Sequence, residues 1–290
     1  MYLVQAGLAP TRERARAAIM AGHVYVAGRR VDKAGYRVEP GQTVEVRADP
    51  LPFVSRGGLK LAKALDEFAL SVKDLVCMDI GASTGGFTDC LLQRGARRVY
   101  AVDVGYGQLD WRLRADPRVV VLERTNARYL TSQHVPEKIE FLTVDVSFIS
   151  LRKVLEPVRA LLAEHARGVA LVKPQFEAGR RDVGKGGVVR DSRVHVRVLL
   201  EVLAWLPEVG FRPLGVTFSP IRGPRGNLEF LVAFECRQAR DGVASASSRR
   251  TEAESPADIP ATEPAPGVDL ASWRPVVERV VAQAHAELPE

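Results

Sequence analysis

The stretch LVCMDIGASTGGFTDCLL, residues 75–92, decides the fold. Leu75 to Ile80 read as a buried strand, and Phe87 to Gln93 as the start of a helix. Between them the chain passes through Gly81, Gly85 and Gly86, a spacing wider than GxGxxG. A strand entering a glycine turn and a helix leaving it is the setting in which such a turn meets a nucleotide-like ligand. Asp79, Gly81, Ser83, Gly85, Gly86 and Phe87 are therefore candidate cofactor-binding residues. A second apolar run, RRVYAVDV, carries Asp103 at the place where a carboxylate accepts hydrogen bonds from both ribose hydroxyls. Asn126, just past the third run, is placed to flank an adenine. The group implied is a nucleoside cofactor.

Working outward, strand-like and helix-like segments alternate from Gly57 to Arg237, which predicts an α/β, doubly wound sheet. The strand candidates are LVCMDI, RRVYAVDV, RVVVLE, KIEFLTVDV, GVALVK, GVTF and EFLVAFEC. Residues 1–48 form a separate small α+β module. Thr11 is the expected N-cap of its helix, Gly22 the stop, and Gly28 the turn of a hairpin in VYVAGRRV. Residues 49–56, DPLPFVSR, read as a linker. The tail, 238–290, starts with an Ala-, Ser-, Glu- and Pro-rich segment expected to lack order. It ends in WRPVVERVVAQAHA, one amphipathic helix with Pro275 in its first turn.

Composition narrows the function classes. With 46% apolar and 26% charged residues the chain is of globular type, and no apolar run nears the roughly 20 residues of a membrane span. The start lacks the order of a secretory signal, so a cytoplasmic protein is expected. Cys77, Cys90 and Cys236 are odd in number and far apart, with no metal-ligand spacing; neither a disulfide framework nor a metal is indicated. Residues 241–290 hold four arginines against nine carboxylates, a net of −5, so residues 1–240 carry +11 of the overall +6. That excess favours a polyanionic partner. Arg12, Arg14, Arg16, Arg29, Arg30 and Lys33 crowd the small module, where Arg12 and Arg16 share a helix face and repel unless an anion lies across them. Composition leaves the oligomeric state open.

Four charged residues sit oddly. In VALVKPQFE, Lys173 ends a greasy strand and Pro174 stops it from continuing. Alone, such a lysine is usually one that lays its stem on apolar surface and its ammonium in water. Asp145 ends the likely neighbouring strand, Lys60 opens the first helix after the linker, and Glu229 heads a late apolar strand. Ligands of a parallel sheet lie beyond the carboxyl ends of its strands, where Lys173 and Asp145 fall. GRRDVGKG, residues 179–186, fits GxxxxGK but has Gly186 where a P-loop needs Ser or Thr, and it follows no strand. ATPase chemistry is rejected; Arg180, Arg181 and Lys185 suit an RNA backbone instead.

PTRERARAAIMAGHVYVAGRRVDKAGYRVEPGQTVEV resembles the S4-type RNA-binding domain, and DIGASTGGFTD resembles the first motif of class I S-adenosylmethionine-dependent methyltransferases. The order Lys60, Asp145, Lys173, Glu229 is similar to the K-D-K-E tetrad of FtsJ-like ribose 2′-O-methyltransferases. SRGGLKL, DIGASTGGFTD, VDVSFISL, LVKPQFE, GKGGVVRD and GNLEF together resemble the TlyA family over residues 1 to about 236. The resemblance implies a Rossmann-like methyltransferase sheet behind an S4-type domain, S-adenosyl-L-methionine as cofactor, and ribosomal RNA or a ribosomal subunit as partner. It further implies 2′-O-methylation of a cytidine ribose, with large-subunit RNA favoured by the short start. Lys173 would be the base, Lys60 a second cation, and Asp145 and Glu229 the groups that orient them. A lysine serves as a base where desolvation and a neighbouring ammonium favour its neutral form. Two rivals stand beside this reading. A non-catalytic RNA-binding assembly factor would leave the tetrad unexplained, and a haemolysin-type membrane-active protein would need a spanning segment or a strongly amphipathic basic helix; the tail helix holds only Arg274 and Arg279.

Overall fold

The computed structural model describes residues 2–9, 12–20, 23–31, 33–46, 51–237 and 269–289. Thr11, Gly22 and the segment 238–268 lie outside the described residues, as do the side chains of Arg14 and Arg180. The chain divides into two compact units, Met1–Pro52 and Phe53–Glu290.

In the first unit, α1 (Tyr2–Gln5) and α2 (Arg12–Met20) precede a three-stranded antiparallel sheet of β1 (Val24–Val26), β2 (Arg29–Val31) and β3 (Val44–Val46). β1 lies in the middle, paired with both neighbours. Ala27 and Gly28 both have positive φ, 49° and 76°, between the paired Val26 and Arg29. That is the two-residue turn whose twist matches a hairpin. Leu3, Ala9, Ala15 and Val24 make the small core. Arg29 and Arg30 remain exposed while Val31 turns inward.

The second unit begins with α3 (Gly57–Glu67), then β4 (Val76–Ile80), α4 (Gly86–Gln93), β5 (Arg98–Val102), α5 (Trp111–Arg114), β6 (Val119–Leu122) and β7 (Ile139–Val144). It continues through α6 (Arg152–Val158), β8 (Leu162–Val172), α7 (Pro174–Glu177), α8 (Ser192–Trp205), β9 (Phe211–Phe218), β10 (Phe230–Cys236) and α9 (Leu270–Glu287). The seven strands run in the order β6-β5-β4-β7-β8-β10-β9. β6, β5, β4, β7 and β8 are parallel, whereas β10 is antiparallel to both β8 and β9. The order reverses between β4 and β7, so the crevice of this sheet opens beyond their carboxyl ends. β4 is buried at every position, as a strand covered on both faces must be.

Three elements depart from the sequence expectation. β8 starts at Leu162, six residues before the apolar run, because its polar first half is a bent extension with a register shift opposite Ile139–Phe141 and His165 at φ 60°. β9 starts at Phe211, not Gly215; Pro213 is tolerated because this is an edge strand and β10 shifts register beside it. α9 starts at Leu270 with Asp269 as N-cap, its side chain accepting from the Ala271 N–H. Pro275 therefore lies beyond the first turn. Val277, Val280, Val281 and Ala284 are buried in the main core, and α9 packs on α8 and β9.

Candidate active site

The glycine turn after β4 is shaped by close approaches. Gly81 has φ 83°, and a Cβ there would stand 2.3 Å from the carbonyl oxygen of Asp145. Gly85 is the N-cap of α4 at φ 96°, and its Cβ would strike Leu113 at 2.2 Å. A Cβ on Gly86 would meet Ser55 Oγ at 2.3 Å, where α4 packs on α3. Ser83, at φ 49°, donates its backbone N–H to Asp103 Oδ2 at 2.8 Å, and Gly105 donates to Oδ1 at 2.6 Å. Asp103 is thus fixed at the end of β5 by one backbone amide on each oxygen. Each oxygen keeps a further lone pair for a ribose hydroxyl.

Two predicted cofactor residues, Asp79 and Phe87, are placed differently from that expectation. The Asp79 side chain has no exposed surface; it accepts from Thr88 Oγ1 at 2.7 Å and Thr143 Oγ1 at 3.0 Å. It braces β4, β7 and α4 beneath the turn, and a carboxylate consumed there does not reach a ligand in the crevice. Phe87 is 3% exposed, its ring in the core between α3 and α4, so only its backbone faces the turn. Asn126 caps the short 3-10 turn Ala127–Tyr129, its Oδ1 accepting from the N–H and Nε of Arg128.

The four oddly placed charges form two pairs. Lys173 Nζ lies 2.6 Å from Asp145 Oδ1 and donates to Ser147 Oγ at 2.9 Å. The contact with Asp145 is an ion pair without hydrogen-bond direction, since Oδ1 lacks a well-aligned donor. Lys60 Nζ donates to Glu229 Oε2 at 2.5 Å. Lys60 and Lys173 are 7% and 9% exposed and Glu229 1%, so both ammonium groups are nearly stripped of water. Register brings the pairs to one edge: Phe230 on β10 pairs with Val172 on β8, which sets Glu229 and Lys173 at the corresponding ends of neighbouring strands. Asp145 follows β7, on the other side of β8, and its backbone touches Gly81. Glu229 Oε1 is buried with no hydrogen-bond partner, an acceptor the protein itself leaves open.

Arg12, Arg16, Arg29, Arg30 and Lys33 are exposed on the first unit, and Arg181 and Lys185 on the loop before α8 of the second. Four residues of this region had no role in the sequence reading. Ser147 holds Lys173. Asn227 accepts from the Val189 N–H at 3.0 Å and donates to the Gly187 carbonyl at 2.9 Å, tying down the loop that carries Lys185. Glu177, its carboxyl pushed above the usual range by burial, accepts from Ser150 Oγ and the Leu151 N–H. Phe148, at φ 64°, is 81% exposed, with its ring 5.1 Å from that of Phe176. An exposed aromatic beside buried lysines is a signal the sequence carried in VDVSFISL, but only exposure gives it meaning.

A sheet with its last strand inserted antiparallel, a glycine turn after its first strand, a carboxylate held after its second and a lysine at the end of its fifth define a class I methyltransferase. The comparisons agree. The model of the FtsJ-like methyltransferases matches residues 53–236, and that of the S4 domain residues 1–44. A 16S/23S rRNA (cytidine-2′-O)-methyltransferase TlyA from Mycobacterium tuberculosis is 47% identical over 79% of this chain and 86% of its own length. Hemolysin A of Brachyspira hyodysenteriae is 42% identical over 80% of this chain and 97% of its own. A solved Streptococcus thermophilus protein, also named as a hemolysin, superposes with a TM-score of 0.73 at 42% identity, covering 98% of this chain and 94% of that one. The chain belongs to the FtsJ-like methyltransferase family, in the TlyA group that joins this domain to an S4 domain.

Proposed function

We propose that this enzyme methylates the ribose 2′-oxygen of a cytidine in ribosomal RNA. The observation that carries the reading is the double pair Lys173–Asp145 and Lys60–Glu229, buried at the carboxyl edge beside the glycine turn. The residues present fit S-adenosyl-L-methionine. Gly81 leaves open a cradle that a Cβ would fill, and Asp103 offers two oriented carboxylate oxygens. Gly81, Ser83, Gly85 and Asp103 would hold the cofactor, Gly86 letting α4 approach closely behind them. When bound, the cofactor supplies a methyl group on a positive sulfur, which leaves as a thioether as the new O–CH3 bond forms.

The chain's own residues then have a proton and an orientation to manage. Lys173 takes the proton of the 2′-hydroxyl at Nζ, held toward it by Asp145 and Ser147. Lys60 is oriented by Glu229 and places a second positive charge at the same edge. Paired carboxylates keep the cluster near neutral, and burial keeps water from competing for the site. Phe148 offers an open ring face on which an unstacked base can rest. The exposed arginines Arg12, Arg16, Arg29 and Arg30 of the S4 domain, with Arg181 and Lys185, supply phosphate contacts.

A ribosomal RNA substrate is a reason to expect the enzyme where ribosomes are, in the cytoplasm. The hemolysin names of relatives favour no second reading here: among the described residues no helix is long and apolar enough to cross a membrane. Lys173→Ala should abolish methyl transfer to ribosomes from a strain lacking this protein, while S-adenosylhomocysteine still binds within about twofold in calorimetry. Transfer retained by that variant would remove Lys173 from the role of base. An unchanged ribose-methylation map of both rRNAs on deletion of the protein would overturn the activity itself.

A further inference from the structure

The end of α9 reaches two loops, the turn 222–226 that precedes Glu229 and, through His195, the segment 187–189. Its first contact is the carbonyl of Leu288, which accepts from Arg222 Nη2; the same guanidinium donates through Nη1 to the Gly226 carbonyl. Arg222 also takes a hydrogen bond on its own carbonyl, from Arg56 Nη2 at 3.2 Å. The side chain therefore closes the turn 222–226 on itself and fastens it to the end of the chain.

That turn is the floor of Glu229. A Cβ on Gly223 would lie 2.4 Å from Glu229 Oε1, so any shift of the backbone at 223 reaches the carboxylate that holds Lys60. The Gly223 N–H donates to the Asn227 carbonyl at 3.0 Å, and the Asn227 side chain in turn fixes Gly187 and Val189. A second, separate contact leads to the same loop. His285 Nε2 lies 3.0 Å from His195 Nδ1, and His195 Nε2 lies 3.2 Å from the Val189 carbonyl. His195 has no exposed surface, and its burial, then the neighbouring His285 and, least, Arg222, disfavour its protonation. Two chains of contacts thus run from residues 285–288 to the segment 223–227 that leads into Glu229.

We propose that Arg222 is a positioning residue of the methyltransferase, held in place by the end of α9, and that it acts through Gly223 on the Glu229–Lys60 pair. The C-terminal helix is then part of the active site's support, although the family match ends at residue 236. A guanidinium suits the task because its planar fork spans two carbonyls at once, which an ammonium on a flexible stem does not. The cost of a slack pair falls on the rate and not on cofactor affinity, since Glu229 and Lys60 lie on the far side of β8 from Asp103.

The inference rests on the methyltransferase reading, so its test separates the two. Single-turnover methyl transfer to ribosomes from a strain lacking this protein is measured with the full chain, with Arg222→Ala, with Glu229→Gln and with both changes together. Arg222→Ala should lower the rate about tenfold while KM for S-adenosylmethionine moves less than about twofold. Added to Glu229→Gln it should cost less than about twofold more, because the group it acts through is already altered. An unchanged rate, or the same fold-loss in both backgrounds, would overturn the proposal. If Arg222→Ala fails to fold, a chain ended at Ala286 keeps Val277, Val280, Val281, Ala284 and His285 and removes the Leu288 carbonyl. A lower rate at unchanged Tm supports the proposal and a full rate overturns it. Failure of the unaltered chain to methylate would instead overturn the methyltransferase reading.

Discussion

Asp79 is a carboxyl group with no surface, and its burial decides both what it does and how it titrates. Desolvation pushes its pKa up to about 7, against the stabilising hydroxyls of Thr88 and Thr143. The unfolded chain releases that proton near pH 4, so between about pH 4 and 7 the folded state binds more protons, and stability falls as pH rises. Asp79→Asn removes this dependence. Relative to wild type, the variant should gain up to about 4 kcal/mol in urea unfolding between pH 4 and pH 8. A difference independent of pH would mean that Asp79 is ionised throughout. The sequence places Asp79 beside the cofactor turn, but which way a strand residue faces depends on what the neighbouring elements supply; here Thr88 and Thr143 claim it first. The same limit hid Ser147, Asn227 and Arg222. Polar residues in loops look alike until their partners are known, and Asn227 and Arg222 find theirs 38 and 66 residues away. Lys173 and Glu229 stood out because a charge bordering an apolar strand is anomalous on its face.

At the scale of elements, the turn between β4 and α4 was readable because glycine states a backbone requirement directly. Gly81 shows the reason: a left-handed φ of 83° and a neighbouring strand's carbonyl where a side chain would go. Gly81→Ala meets both obstacles, the first costing about 1–2 kcal/mol and the second moving Asp145 or the turn itself. S-adenosylhomocysteine affinity should fall at least about tenfold by calorimetry, with methyl transfer reduced further because Asp145 is the partner of Lys173. Wild-type affinity in this variant would show that the turn does not enclose the cofactor. Strand cores were equally plain, since VCMDI and VALV are buried on both faces and are apolar apart from Asp79. Strand ends were not. β8 and β9 extend through polar and proline-containing sequence because pairing with neighbours, and not apolar character, holds those residues extended.

For the whole molecule the informative quantity is the distribution of charge. Residues 241–290 carry a net of −5 and residues 1–240 carry +11, so the basic excess belongs to the S4 domain and the part of the second unit before residue 241. Within the first unit Arg29 and Arg30 are both exposed on β2, next to the inward Val31, and they serve no role in its core. Changing both to Glu should therefore leave folding intact and act on RNA alone. If each arginine neutralises one phosphate, the dependence of log affinity on log salt for ribosomal RNA should flatten by about one per residue lost. Affinity should drop alike for unrelated structured RNAs, because phosphate contacts carry no base identity. S-adenosylhomocysteine binding, which depends on the second unit, should stay within about twofold of wild type. A variant with unchanged salt dependence would show that this face of the S4 domain is solvated surface, and would shift the RNA contacts to Arg181, Lys185 and their neighbours on the methyltransferase unit.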